Sequence, residues 1–152
     1  MSSNQIPTYY FCLVIVRLGR RFLIVQQNKN NQWYLPGGRV AQGEELALSA
    51  ARQCLEETGI PVVLDGVVRF QHTLREDGKA RVRVIYTAYP DSDIAPKSTA
   101  DQHSVRAAWV TLDELEQMPL RGREVVDLFR YVAYGGVIYP MQVVGSEKIR
   151  IK

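Results

Sequence analysis

The chain has 152 residues, 46% of them apolar and 23% charged, with a formal net charge of +3. That length and balance fit one soluble globular domain with a buried core, spanning 1–152. The small positive charge is compatible with small anionic substrates and is by itself far too weak to indicate binding of a long nucleic acid.

Residues 1–7 are polar and read as a loose tail. Tyr9–Val16 is β-branched and aromatic and predicts a buried strand. It is too short to cross a bilayer, and Arg17 follows it directly. No basic leader precedes it and no cleavage-like site follows, so a cytoplasmic location is expected. Arg21–Gln27 predicts a second strand, 28–32 a polar loop, and Trp33–Leu35 a short strand stopped by Pro36-Gly37-Gly38.

Glu45–Thr58 predicts a helix whose apolar stripe is Ala47, Ala51, Cys54 and Thr58, and Gly59 with Pro61 stops it. Cys12 and Cys54 each sit in an apolar stretch, which points to two buried thiols in a reducing compartment rather than a disulfide. Val62–Thr73 and Val82–Ala88 predict strands joined by a turn at Arg75–Lys79. A polar loop, 90–103, leads to a strand over Val105–Val110. Thr111 to Glu114 has capping-box form and opens a short helix. Arg123–Ala133 predicts the last helix, and 137–152 an added edge strand. Strands in sets, broken by helices at the middle and end, point to an α/β layer fold.

The chemistry concentrates between Gly38 and Ile60. Arg52, Gln53 and Glu56 are three or four residues apart and share one helix face, which Glu57 adjoins. Two adjacent glutamates in the last turn repel each other and sit at the negative end of the helix dipole. Each effect costs about 0.3–1 kcal/mol at an exposed site. A bound divalent cation turns that cost into a gain, and Mg²⁺ suits carboxylates, waters and substrate phosphates.

The spaced pattern Gly38, Glu44, Arg52, Glu56, Glu57, Gly59 and Ile60, flanked by Trp33-Tyr34-Leu35-Pro36-Gly37-Gly38, resembles the Nudix box, G-x5-E-x7-R-E-U-x-E-E-x-G-U. The resemblance covers about 23 residues directly. It implies the family's α/β/α sandwich with a mixed central sheet and hydrolysis of a pyrophosphate link in a small nucleotide substrate, dependent on Mg²⁺ with Mn²⁺ as the alternative. It makes Glu56 and Glu57 metal ligands, together with a backbone carbonyl of the Gly37-Gly38 loop. Arg52 would orient a box glutamate, and Glu44 would brace the loop against the helix.

Two positions depart from the box. Cys54 replaces a larger aliphatic, and Gln53 stands where the first glutamate of R-E-U-x-E-E is usual. An amide coordinates weakly and takes no proton. Either another residue supplies the carboxylate or base, with Asp101, His103, Glu76 and Asp77 as candidates, or the domain is a catalytically weak or inactive nucleotide-binding module. Trp33, Tyr34, Phe70 and Tyr86 are the aromatic candidates for stacking a base. The flank, Val82-Arg83-Val84 and Ala107-Ala108-Trp109 resemble the members that hydrolyse oxidised-purine nucleoside diphosphates. The proline usual in ADP-ribose-preferring members is missing between Val62 and Arg81. A homodimer is compatible with this reading.

Overall fold

The computed structural model describes residues 4–148. The elements in chain order are β1 (Thr8–Leu18), β2 (Arg21–Gln26), β3 (Trp33–Tyr34), β4 (Gly37–Arg39), α1 (Leu46–Thr58), β5 (Val62–Leu74), β6 (Ala80–Pro90), β7 (Arg106–Val110), α2 (Leu112–Leu115) and α3 (Glu124–Ala133). A 3-10 turn follows at Met141–Val144.

β1 is the spine of a mixed sheet. Its Thr8–Val16 stretch runs parallel to Ala80–Ala88 of β6, its other edge takes β4 antiparallel, and its far end turns into β2. β5 and β6 form a long antiparallel hairpin, while β2 pairs with both β3 and β7. Side chains alternate across a strand, so β1 feeds two cores at once. Cys12, Val14 and Val16 face α1 with Ala50, Cys54, Val84 and Tyr86. Leu13 and Ile15 face α3 with Phe22, Ile24, Val125 and Phe129. The rings of Phe22 and Phe129 stack with centroids 4.4 Å apart. The result is an α/β/α sandwich. Both cysteines are free and buried, and burial pushes each thiol up to about 12.

Four expectations change. Gly37–Arg39, read as the stop of the Trp33–Leu35 strand, forms β4 because it pairs with Phe11–Leu13 of β1. β6 is longer than 82–88, because its pairing with β1 begins at Ala80. The buried stripe of α1 is Ser49, Ala50, Gln53, Cys54 and Thr58, while Ala47 and Ala51 are only half-buried. The helix is thus rotated by about one residue from the predicted stripe, and this takes Gln53 inward. The tail adds no edge strand among the described residues. Tyr139 makes one bridge to Val67, with 2.8 Å hydrogen bonds in both directions. After Pro140 the chain enters the 3-10 turn at Met141–Val144, so no second ladder pair forms. Residues 149–152 of that expected strand lie outside the described residues. Thr111 and Glu114 do form both halves of a capping box.

Candidate active site

The β3–β4 turn brings a backbone corner against the end of α1. Val14 donates to the Pro36 carbonyl at 2.9 Å, which pins the turn to the centre of β1. Gly37 then takes φ +133°, and a Cβ there would lie 2.1 Å from the Cys12 carbonyl oxygen, so glycine is required for the close approach. A Cβ on Gly38 would lie 2.8 Å from Oε1 of Gln53, so this glycine lets the helix face approach the turn.

From the last two turns of α1 the side chains fan into a polar cleft of about 600 Å³. Arg52, Gln53, Glu56 and Glu57 line one wall, and Gly37, Arg39, Asn28, Lys29, Gln102, His103 and Arg121 are among the residues that enclose the rest. Arg52 holds two carboxylates. It binds Glu44 through Nε (2.7 Å) and Nη2 (2.8 Å), and Glu56 through Nη1 (2.5 Å). Its fork draws the Glu44 carboxyl down to about 2. Glu44 thereby ties the loop before α1 to the helix.

Glu57 is the perturbed acid. Its carboxylate accepts the Gly37 N–H at 3.1 Å. Burial pushes it up to about 8, and neighbouring Glu56 adds repulsion. The Gly37 hydrogen bond and the charges of Lys97 and Arg52 pull the other way but do not prevail. A carboxyl driven this far by burial and opening on a cleft marks a candidate functional group.

Gln53 lines the cleft as a buried residue. Its Nε2 donates to the Ser49 hydroxyl (2.7 Å) and to the Arg39 carbonyl (3.1 Å). The two candidate bases part company. His103 lines the cleft with Nε2 3.9 Å from Glu56 Oε2. Asp101 pairs with Lys97 at 2.7 Å and accepts the backbone N–H groups of His103 and Ser104, which draws it down to about 2. Glu76 and Asp77 sit at the β5–β6 turn, outside the cleft lining. Tyr86 is fully buried beneath α1, Trp33 and Tyr34 are nearly so, and Phe70 is exposed on β5.

Arg39, Lys29 and Arg121 escaped the sequence reading. Only Arg39, directly after the two glycines, carried a positional signal. Lys29 and Arg121 come from distant loops and meet only in the fold.

A model of the NUDIX domain matches residues 8–129, four-fifths of the chain, from β1 into α3 and including all the cleft residues. The chain belongs to the NUDIX family. Among curated relatives of this Nudix chain, a human protein named 8-oxo-dGDP phosphatase NUDT18 is 30% identical over 115 residues, covering 73% of the chain and 34% of that protein. The chain thus spans about a third of the length of that relative, and of its mouse counterpart. Phosphatase NudJ of Escherichia coli is 28% identical over 135 residues, covering 87% of each. Among solved structures, a NUDIX hydrolase from Nitrosomonas europaea superposes with a TM-score of 0.76 at 21% identity, covering 92% of this chain and 97% of that one. A MutT protein from Methanosarcina mazei Go1 gives 0.64 at 23% identity, covering 86% and 99%. These two likenesses bear on the fold. No helix among the described residues is long and apolar enough to cross a membrane.

Proposed function

We propose that this Nudix chain is a divalent-metal-dependent hydrolase that cuts a phosphoanhydride bond in a nucleoside diphosphate, with oxidised purine nucleotides as the preferred class. The observation that carries the reading is the pair Glu56 and Glu57 at the end of α1, in a cleft whose other walls supply Lys29, Arg39 and Arg121. Carboxylates opposite cations are what a metal–diphosphate substrate needs, since the metal meets the acids and the phosphate oxygens meet the bases.

The donor set fits Mg²⁺ or Mn²⁺. The described residues contain no ready-made cluster of three His, Cys, Asp or Glu. Mg²⁺ commonly makes do with one or two carboxylates plus substrate phosphates and waters, so Glu56 and Glu57 suffice when substrate completes the shell. The half-buried Glu57, pushed up to about 8 despite Lys97 and Arg52, is the group such an ion would keep ionised. When bound, the ion polarises the phosphoryl oxygens and eases ionisation of the attacking water. Arg52 orients Glu56. Water adds to phosphorus, the bond to the bridging oxygen breaks, and the leaving phosphate departs against the basic wall. We assign His103 as the group that takes the water proton, because Asp101 is occupied by Lys97 and two amides.

The purine preference draws support from the name carried by the human relative, 8-oxo-dGDP phosphatase, and from the missing proline between Val62 and Arg81. A second reading, a nucleotide-binding module with weak or no turnover, is favoured by one observation: the box position occupied by Gln53 is committed to Ser49 and Arg39 and offers no carboxylate. A phosphate-release screen over nucleoside diphosphates, triphosphates, nucleotide sugars and ADP-ribose, with Mg²⁺ or Mn²⁺, separates the two. Turnover of diphosphates that Glu56→Gln and Glu57→Gln abolish supports hydrolysis. Tight binding with no turnover establishes the module, and a best kcat/KM on ADP-ribose overturns the substrate class.

A further inference from the structure

An α-helix leaves its last four carbonyls without intrahelical partners, and its C-terminal end is electronegative. In α1 that end also carries Glu56 and Glu57, and the last turn contains no basic residue. The sequence alone left a divalent cation as the compensating charge. The fold supplies another one.

All four terminal carbonyls are occupied. The Leu55 carbonyl accepts the Gly59 N–H (2.9 Å). The other three are met by the loop preceding β7. The Glu56 carbonyl accepts Lys97 Nζ (2.6 Å), the Glu57 carbonyl accepts the Ser104 hydroxyl (2.6 Å), and the Thr58 carbonyl accepts the Lys97 backbone N–H (2.8 Å). Lys97 Nζ also donates to Asp101 (2.7 Å) and to Ser104 Oγ (3.1 Å), and its side chain is 11% exposed. Asp101 in turn holds the N–H groups of His103 and Ser104. One largely shielded ammonium thus ties the main chain under both cleft carboxylates to the loop that carries Gln102 and His103 into the opposite wall.

We propose that Lys97, with Asp101 and Ser104, is a positioning device for the reaction: it clamps the carbonyl end of α1 so that Glu56 and Glu57 hold their places and His103 stays beside them. The clamp acts through the backbone and through His103, and none of its three members lines the cleft. It rests on the hydrolase reading above for its purpose, but not for its geometry.

The clamp and simple electrostatics predict opposite signs. Removing a cation near two carboxylates should by Coulomb attraction alone tighten divalent metal binding. Removing a clamp should loosen it, because the carboxylates lose their shared geometry. The experiment measures Mn²⁺ affinity by electron paramagnetic resonance, with melting temperature and kcat and KM on a nucleoside diphosphate, for the wild type, Lys97→Met, Lys97→Arg and Ser104→Ala. We expect Lys97→Met to weaken Mn²⁺ binding and kcat by about 10-fold or more, the range typical of groups that orient ligands, with KM nearly unchanged. Lys97→Arg should recover part of both, and Ser104→Ala should show a smaller loss of the same sign. If Lys97→Met does not fold, Ser104→Ala decides. Unchanged or tighter Mn²⁺ binding in a folded variant overturns the clamp, even when the wild type turns over. A wild type without turnover that still shows the loss in Mn²⁺ affinity overturns the hydrolase reading and leaves the clamp standing.

Discussion

Replacing Glu57 with glutamine should stabilise the metal-free protein while removing its activity. In the unfolded chain this carboxyl ionises near the ordinary 4.5, and in the fold near 8. Between those values the unfolded chain has lost the proton that the folded chain keeps, so rising pH favours unfolding. At about 1.4 kcal/mol for each pH unit of separation, the ceiling is about 5 kcal/mol. Cleft water and the charges of Lys97 and Arg52 screen the site, which brings the expected effect to about 1–3 kcal/mol. Glutamine carries no charge to desolvate, and its Oε1 can still accept the Gly37 N–H that Glu57 takes at 3.1 Å. At pH 8, in a chelator, Glu57→Gln should therefore melt higher by roughly 2–12 °C, taking about 2–4 °C per kcal/mol for a domain of this size. The difference should shrink as pH falls from 8 and vanish below 4.5, where both carboxyl states are protonated. Calorimetry across pH 4–9, with and without Mg²⁺, reads it directly. Mg²⁺ should raise the wild-type transition at pH 8 and leave the variant's unmoved. A variant that melts lower than the wild type at pH 8 without metal would refute the reasoning, since burial would then not be what drives Glu57.

Gln53→Glu should weaken the metal-free fold by about 1–3 kcal/mol, more than helix repulsion alone predicts. It replaces the donor to Ser49 and the Arg39 carbonyl with an acceptor that faces a carbonyl; chemical denaturation with and without Mn²⁺ measures this, and Mn²⁺ should recover part of the loss. Gly37→Ala should cost about 3 kcal/mol or more, because its Cβ would lie 2.1 Å from the Cys12 oxygen in a backbone region that alanine avoids; a denaturant midpoint close to the wild type's would contradict that placement. His103→Ala should lower kcat by about 10²-fold or more with little change in KM if His103 takes the proton, and a kcat within about twofold of the parent moves the base elsewhere.

Legibility in the sequence followed the range of the interactions. Periodicity and turn chemistry are local, so the strand–helix order apart from β4, the Gly59 stop and the Thr111–Glu114 cap were readable, as were the two buried thiols. So was the spacing that puts Gly38, Glu44, Arg52, Glu56 and Glu57 in one stretch, because a helix turn and one loop connect them. Two readings failed because a neighbour far along the chain decides them. The rotation of α1 that buries Gln53 is set by the Arg39 carbonyl on β4 and by the β1 surface beneath. The edge strand expected in the tail gives way at Pro140 after one bridge to β5.

The sequence by itself determined which residues make up the candidate site, because a box of fixed spacing on a helix already places carboxylates, arginine and glycines within reach of one another. Only the tertiary structure decided what surrounds them. It pressed the Gly37 corner against Cys12, buried Glu57 enough to hold its carboxyl near 8, sent Asp101 to Lys97 while leaving His103 in the cleft, and brought Lys97 under the last turn of α1 from 41 residues beyond Glu56. The physical reason is that burial and the pairing of charges depend on distances across the fold. Those distances are set by how β1, β4 and α1 pack, which no local pattern along the chain encodes.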